Sequence, residues 1–215
     1  MSLNPTWLID CDNTLYPAGN RLFDNVNALI IEYMRELVGI PEDEVEPLRL
    51  GYWKRYGVTL GGLMADFNVD PEHYLSYVHN VPLSDYLSPD PALSEALHSL
   101  PGRKVIFTNA TQEHARGVID VLGMSGAVEK IYDIRDFNYI PKPKLYAYER
   151  VLAGEGVSAD RCWFVEDSEE NLSTGKELGM TTILVGGSPA TGHHHIGRVH
   201  ELPALYARLR AEEPS

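Results

Sequence analysis

Cysteine is scarce. The 215-residue chain carries Cys11 and Cys162 alone, with no CxxC spacing. That excludes a disulfide framework and a cysteine-built zinc site, and it fits a reducing, cytoplasmic setting. No uninterrupted apolar run approaches the ~20 residues that span a bilayer. The first residues, Met1 to Thr6, have neither the basic region nor the apolar stretch of a secretory signal. Basic residues are outnumbered: 18 Lys plus Arg face 31 Asp plus Glu, for a net charge of −13. So acidic a chain repels bulk nucleic acid and anionic membrane. It does not repel a small phosphorylated ligand whose site holds a cation. There is no internal repeat and no low-complexity tract.

What is present is a rhythm. Trp7-Leu8-Ile9-Asp10, Val105-Ile106-Phe107-Thr108-Asn109, Cys162-Trp163-Phe164-Val165-Glu166-Asp167 and Thr182-Ile183-Leu184-Val185-Gly186-Gly187 are short apolar runs. Apolar on both faces, they read as buried parallel strands. Ile131-Tyr132-Asp133-Ile134 is a weaker fifth. Helical spacing fills the gaps over 111–122, 143–153 and 168–178, and from Asp90-Pro91 onward with Leu93, Leu97 and Leu100 inward. Ser168 caps the helix it opens, and Gly123 and Gly179 act as stops. This alternation predicts an α/β fold: right-handed β-α-β units in one Rossmann-like parallel sheet flanked by helices.

Residues 16–86 break the rhythm. Leu22, Val26, Leu29, Ile30, Tyr33, Met34 and Leu37 share one helix face. A second helix is expected over 41–56 and a shorter one over 71–79. The expected organisation is a core domain from 1–15 and 87–215, with an inserted α-helical cap domain over 16–86.

In an open parallel sheet, functional groups gather beyond the carboxyl ends of the strands. Those ends carry Asp10 with Asp12, Thr108 with Asn109, Glu166 with Asp167, and Gly186. The Asp10-Cys11-Asp12 triplet alone has an equal claim as a turn. As a calcium loop it fails, because Leu15 and Arg21 stand where that loop needs Gly and Glu. Glu166-Asp167 alone also reads as favourable charge at a helix start. If the two acidic ends are neighbours, their carboxylates crowd one point and call for a cation. Oxygen-only ligands favour Mg²⁺ over zinc. Lys142 lies between Pro141 and Pro143, which stiffen the backbone that would aim it.

In this order the residues resemble the haloacid dehalogenase-like (HAD) superfamily. Asp10-Cys11-Asp12-Asn13-Thr14 looks like its first motif and Phe107-Thr108-Asn109 its second. Lys142-Pro143, with Tyr148, looks like the third, and Glu166-Asp167-Ser168 with Asn171 and Gly179-Met180 the fourth. The resemblance extends to about Gly187. Asp12-Asn13-Thr14-Leu15-Tyr16-Pro17, the stretch from Tyr56 to Met64, and Phe107-Thr108-Asn109-Ala110 with His114 are similar to the pyrimidine 5′-nucleotidase branch.

The resemblance implies a phosphatase, a phosphoric monoester hydrolase acting through an aspartyl-phosphate. Asp10 would be the nucleophile and Asp12 the acid and base. Thr108, Asn109 and Lys142 would bind the phosphoryl group. Asp10, the Asp12 carbonyl and Asp167 would hold Mg²⁺, with Glu166 as a further ligand. Asp12 argues against the dehalogenase members, which do not keep that acid. The implied partner is a small phosphomonoester, with UMP and CMP leading. A broad sugar phosphatase and a phosphomutase are same-class alternatives. A non-catalytic metabolite-binding regulator is the alternative from another class.

Other features read more plainly. Tyr52, Trp53, Tyr56, Phe67, Tyr74 and Tyr77 suit helix packing, and one of them could instead stack on a base. Thr59 and the glycines after it read as a turn facing the site. His193-His194-His195 reads as an exposed loop without ligand geometry, Cys11 as buried filler, and Glu212-Glu213-Pro214-Ser215 as a solvated tail.

Overall fold

The computed structural model describes residues 4–212; residues 1–3 and 213–215, and with them part of the reading of both ends, lie outside it. Six strands form one parallel sheet in the order β3-β2-β1-β4-β5-β6. They are β1 (Thr6–Ile9), β2 (Arg103–Phe107), β3 (Lys130–Tyr132), β4 (Cys162–Glu166), β5 (Thr181–Val185) and β6 (His194–Ile196). β1 lies between β2 and β4, where the strand order reverses, so a crevice opens beyond its carboxyl end. Ile9 is in register with Ile106 on one side and Val165 on the other. The residues that follow these three strands therefore meet at one point.

The strands are short and apolar on both faces because both faces are covered. Trp7, Ile9, Ile106, Val165 and Ile183 face one layer with α5 (Pro91–Ser99), α6 (Gln112–Leu122) and α9 (Leu202–Glu212). Leu8, Val105, Phe107 and Phe164 face the other, with α7 (Leu145–Glu155) and α8 (Glu169–Glu177). Asp90 and Thr111 cap α5 and α6 by accepting from the backbone N–H of Leu93 and His114. Ser168 does the same for α8 through Asn171. Among the described residues, no helix is long and apolar enough to cross a membrane.

Between β1 and α5 the chain is helical: α1 (Leu22–Glu32), α2 (Glu42–Tyr56), α3 (Thr59–Phe67) and α4 (Pro71–Val78). These four share a hydrophobic cluster built on Tyr33, Met34, Val45, Tyr52, Leu63, Tyr74 and Val78. Full burial of a side chain such as Leu63 contributes about 1.5–3 kcal/mol. Two of the contacts between this helical layer and the sheet layer are made by Arg135 and Gly57. Arg135 binds Glu72 of α4 at 2.9 Å while also holding Glu113 and Asp133. Gly57, at φ +88°, ends α2 so close to the Lys142 carbonyl that a Cβ there would lie 2.9 Å from it.

Three expectations need correction. The helix from Leu22 does not keep its phase to Leu37. It passes into a π-turn over Tyr33–Leu37, in which the Val38 N–H reaches back to the Tyr33 carbonyl, and Leu37 is left 51% exposed. Thr59 and its glycines form helix α3, not a turn, because the Tyr52 and Tyr56 rings of α2 fill the space beside Gly62 and Gly61. His194 and His195 open an edge strand, whereas His193 stays in the loop before it. β5 offers its free edge to residues 194–196, and the three rings disperse. His193 Nδ1 lies 2.7 Å from the Thr182 hydroxyl, while His195 Nε2–H donates to the Gly186 carbonyl.

The helix packing makes a sign-reversed pair of substitutions. A Cβ at Gly62 would lie 2.0 Å from the Tyr52 ring, whereas one at Gly51 meets nothing within 4 Å. Gly62→Ala is expected to destabilise by about 1–3 kcal/mol despite alanine's higher helix propensity. Gly51→Ala is expected to stabilise by about 0.5–1 kcal/mol. Urea unfolding of the two variants checks both signs.

Candidate active site

All seven sequence-predicted side chains gather beyond the carboxyl ends of β1, β2 and β4. Asp10 follows β1, and its backbone N–H donates to the Val165 carbonyl. Lys142, on the loop after β3, is the centre of the group. Its Nζ donates to Asp10 Oδ1, to Glu166 Oε2 and to the Phe107 carbonyl, each at 2.7 Å. The ammonium also lies 4.9 and 5.5 Å from the Phe107 and Phe164 ring centres. Its three N–H donors are thus all used within the protein. Lys142 is among the most buried side chains in the molecule.

Two amides and a hydroxyl hold this arrangement. Asn109 grips the Lys142 backbone twice: its Oδ1 accepts from the Lys142 N–H at 2.9 Å and its Nδ2 donates to the carbonyl at 3.1 Å. The Asn109 side chain is therefore committed to placing the lysine, and what it can offer an incoming anion is its backbone N–H. Asn171 donates to Glu166 Oε2 at 3.0 Å, and Glu166 Oε1 accepts from the backbone N–H groups of Asp167 and Ser168. Both Glu166 oxygens are thereby occupied. Thr14 donates to Asp10 Oδ2 at 3.2 Å. Thr108 Oγ1 accepts from the Ala110 N–H at 3.0 Å, leaving the hydroxyl proton free to donate outward.

Asp12 stands apart from the lysine. Its Oδ1 accepts from His114 Nε2–H at 2.7 Å and from the Tyr16 hydroxyl. Thr14 and Tyr16 lie within the motif stretch, but spacing did not announce their contacts with Asp10 and Asp12. The available signal was their place in the turn directly after the acid pair.

The charges do not balance. Carboxylate oxygens of Asp10, Glu166 and Asp167 lie within 4.8 Å of one another, the one such metal-ligand cluster among the described residues. They share one ammonium. Burial and the Glu166 charge push Asp10 up to about 7 against the pull of Lys142. Burial, with Asp167 beside it, likewise pushes Glu166 up to about 7. Asp167 is also raised, chiefly by burial. Lys142 stays charged, because its two carboxylates outweigh the cost of burying it. Asp12 behaves oppositely. Burial alone would raise it, but His114 and Tyr16 hold it down at about 2.

Above these groups is a cavity of about 490 Å³. Asp10, Asp12, Thr108, Lys142 and Asp167 form its floor, and Asn27, Arg49, Trp53 and Tyr74 of the helical layer line its walls. Trp53 is 54% exposed, whereas Tyr52 and Tyr74 are core residues and Phe67 points to solvent away from the cavity. Cys11 is buried in the sheet core.

Comparison with known proteins bears on the family and the fold. The family model of the haloacid dehalogenase-like hydrolases matches residues 6–179. The chain is 27% identical over 194 residues to Phosphate metabolism protein 8 of Saccharomyces cerevisiae, covering 83% of this chain and 60% of that protein. It is 31% identical over 100 residues to the sugar-phosphatase AraL of Bacillus subtilis, covering 44% of this chain and 37% of that protein. The match thus spans less than two thirds of either relative's length. L-2-haloacid dehalogenase from Xanthobacter autotrophicus, with chloropropionic acid covalently bound, superposes with a TM-score of 0.61 at 16% identity, covering 98% of this chain and 100% of the other. A HAD phosphatase from Thermococcus onnurineus gives 0.61 at 18% identity, covering 95% and 98%. At those identities the likeness is one of fold.

The acid cluster predicts a pH signature for metal-free protein. Asp10 and Glu166 hold protons up to about 7 when folded, against 3.8 and 4.5 when free. Folding therefore takes up protons across that window. The stability these groups contribute is complete below about pH 4 and is lost as pH rises through about 7. A divalent cation is expected to stabilise the fold more above that window than below it, where protons compete for the same oxygens. Urea unfolding across pH, with and without chelator, checks the slope, and Asp10→Asn should flatten it.

Proposed function

The chain belongs to the haloacid dehalogenase-like hydrolases, and from that membership we propose that it is a Mg²⁺-dependent phosphomonoesterase acting on pyrimidine nucleoside 5′-monophosphates. The observation that carries the reading is Asp12: a second carboxylate, held by its own partners, faces the same cavity as the buried Asp10. A nucleophile and a separately anchored acid are what ester cleavage through a covalent intermediate requires. In this reading 16–86 acts as a cap over the core formed by 1–15 and 87–215, and the enzyme works in the cytoplasm.

The donor set fits Mg²⁺. The ligands are all oxygen, and three carboxylates exceed the charge of one lysine. Asp10, Asp167 and the Asp12 carbonyl would hold the ion. Glu166, with both oxygens engaged, serves instead to anchor Lys142. When bound, Mg²⁺ supplies positive charge that lets an anionic nucleophile meet an anionic phosphoryl group.

The residues divide the work. An Asp10 oxygen attacks phosphorus, and the P–O bond to the leaving group breaks as Asp12, protonated by the proton that a monoanionic phosphoryl group brings into the site, gives that proton to the departing oxygen. Asp12 then takes a proton from water as that water attacks phosphorus, the bond to Asp10 breaks, and inorganic phosphate leaves. Thr108 and the Asn109 N–H donate to the phosphoryl oxygens through both steps. Lys142 keeps Asp10 oriented and balances the charge that accumulates around it. The cavity wall supports the substrate class: about 490 Å³ leaves room beyond the phosphate for a nucleoside, with Trp53 for stacking and Arg49 for a base carbonyl. The sugar-phosphatase relative supports a second reading, a broader esterase of small phosphates.

Phosphate release from UMP, CMP, dTMP, AMP, GMP, IMP, a hexose phosphate and phosphoglycolate, with Mg²⁺ and with chelator, tests these readings. The proposal predicts a preference for UMP and CMP that chelation abolishes. Asp10→Asn should lower kcat by about 10³-fold or more. Asp12→Asn should lower it by about 10²–10⁴-fold on nucleotides. Even rates across the panel would favour the broader esterase. Isomerised product without free phosphate would indicate a mutase, and binding without turnover a regulator.

A further inference from the structure

Asp12 is held by one oxygen only. Both of its side-chain donors, His114 Nε2–H at 2.7 Å and the Tyr16 hydroxyl, converge on Oδ1. Among the described residues Oδ2 receives no side-chain donor, and Asp12 lines the cavity. An unanchored carboxylate rotates and presents either oxygen. Two donors on the same oxygen select one orientation and leave the other oxygen free for the proton it must deliver.

His114 has a feature that packing alone does not explain. It is buried in the first turn of α6, yet its Nδ1 is buried without any hydrogen-bond partner. Burying an unpaired polar atom is costly, and an apolar side chain of similar shape would avoid that cost. The imidazole is therefore in place for what its Nε2–H does. Its exposed flank is closed by His79, at the end of α4, whose ring centre lies 4.7 Å away with the planes 34° apart. His79 is itself fixed by a 3.1 Å contact between Nδ1 and the Leu75 carbonyl. The brace on Asp12 thus reaches from the sheet layer into the helical layer.

We propose that His114, together with Tyr16, is a positioning residue that fixes the Asp12 carboxylate so that Oδ2 serves the leaving group, with His79 carrying this brace into the helical layer. This rests on the phosphomonoesterase reading above, in which Asp12 protonates the departing oxygen. His114 acts through Asp12 and does not touch substrate.

The test uses the dependence of kcat/KM on the leaving group, since kcat/KM covers only the steps through the first irreversible one. A nucleotide releases an alkoxide that needs a proton, whereas p-nitrophenyl phosphate releases a stable phenolate that does not. For His114→Leu the nucleotide value is expected to fall about 100-fold, and the p-nitrophenyl value less than about 5-fold. His114→Gln, which can return an N–H to Oδ1, should recover the nucleotide value to within about 10-fold of wild type. Tyr16→Phe should show the same split with a smaller loss, and it carries the test if His114→Leu fails to fold. An equal fall on both esters, or no fall on either, overturns the proposal while the phosphomonoesterase reading stands. A wild-type chain that hydrolyses neither ester overturns that reading and this inference with it.

Discussion

The structure turns on one buried ammonium. Lys142 Nζ sits 2.7 Å from Asp10, Glu166 and the Phe107 carbonyl, and each contact belongs to a different strand end. Removing a lysine charge from water costs several kcal/mol, and only near-ideal partners offset it. Here the partners are supplied by topology: β1 lies between β2 and β4, so Asp10, Phe107 and Glu166 arrive together. Asn109 then fixes the lysine's own backbone from both sides. The same contacts that stabilise the charge set the orientation of Asp10.

One cation among three carboxylates leaves the site short of positive charge, and this shortage organises its chemistry. Burial, with too little positive charge to offset it, raises Asp10, Glu166 and Asp167 together, and the acid cluster makes the pocket receptive to a further cation. Asp12 escapes the competition because His114 and Tyr16 serve it alone. Two carboxylates two residues apart thus experience opposite electrostatics in the metal-free chain, Asp10 held up and Asp12 held down.

Much of this was legible in the sequence. The acids and Lys142 could be placed because apolar runs end where a parallel sheet exposes its chemistry, and parallel strands need little beyond that pattern. The roles within the group were less legible. Nothing in the spelling of Asn109 says that its amide grips Lys142 rather than an anion, because that contact joins residues 33 apart. Nothing in the spelling of Glu166 says that four donors engage its two oxygens. α3 was hidden because glycine weakens helix propensity, and its justification is two tyrosine rings on the neighbouring helix. β6 was hidden because His194-His195 resembles no strand, and only the open edge of β5 draws it into one. In each case the missing information was a partner distant in sequence.

The central claim is that Asp10 becomes phosphorylated while Asp12 manages the proton. Its most direct test is rapid acid quench of Asp12→Asn after mixing with p-nitrophenyl phosphate and Mg²⁺, followed by peptide mass spectrometry. This ester needs no acid to leave, and the variant lacks the base that would clear the intermediate. The account predicts one phosphoryl group on the peptide carrying Asp10, absent when Asp10→Asn is added. Release of p-nitrophenol with no phosphoryl group on that peptide would mean that water attacks phosphorus directly, and would contradict it.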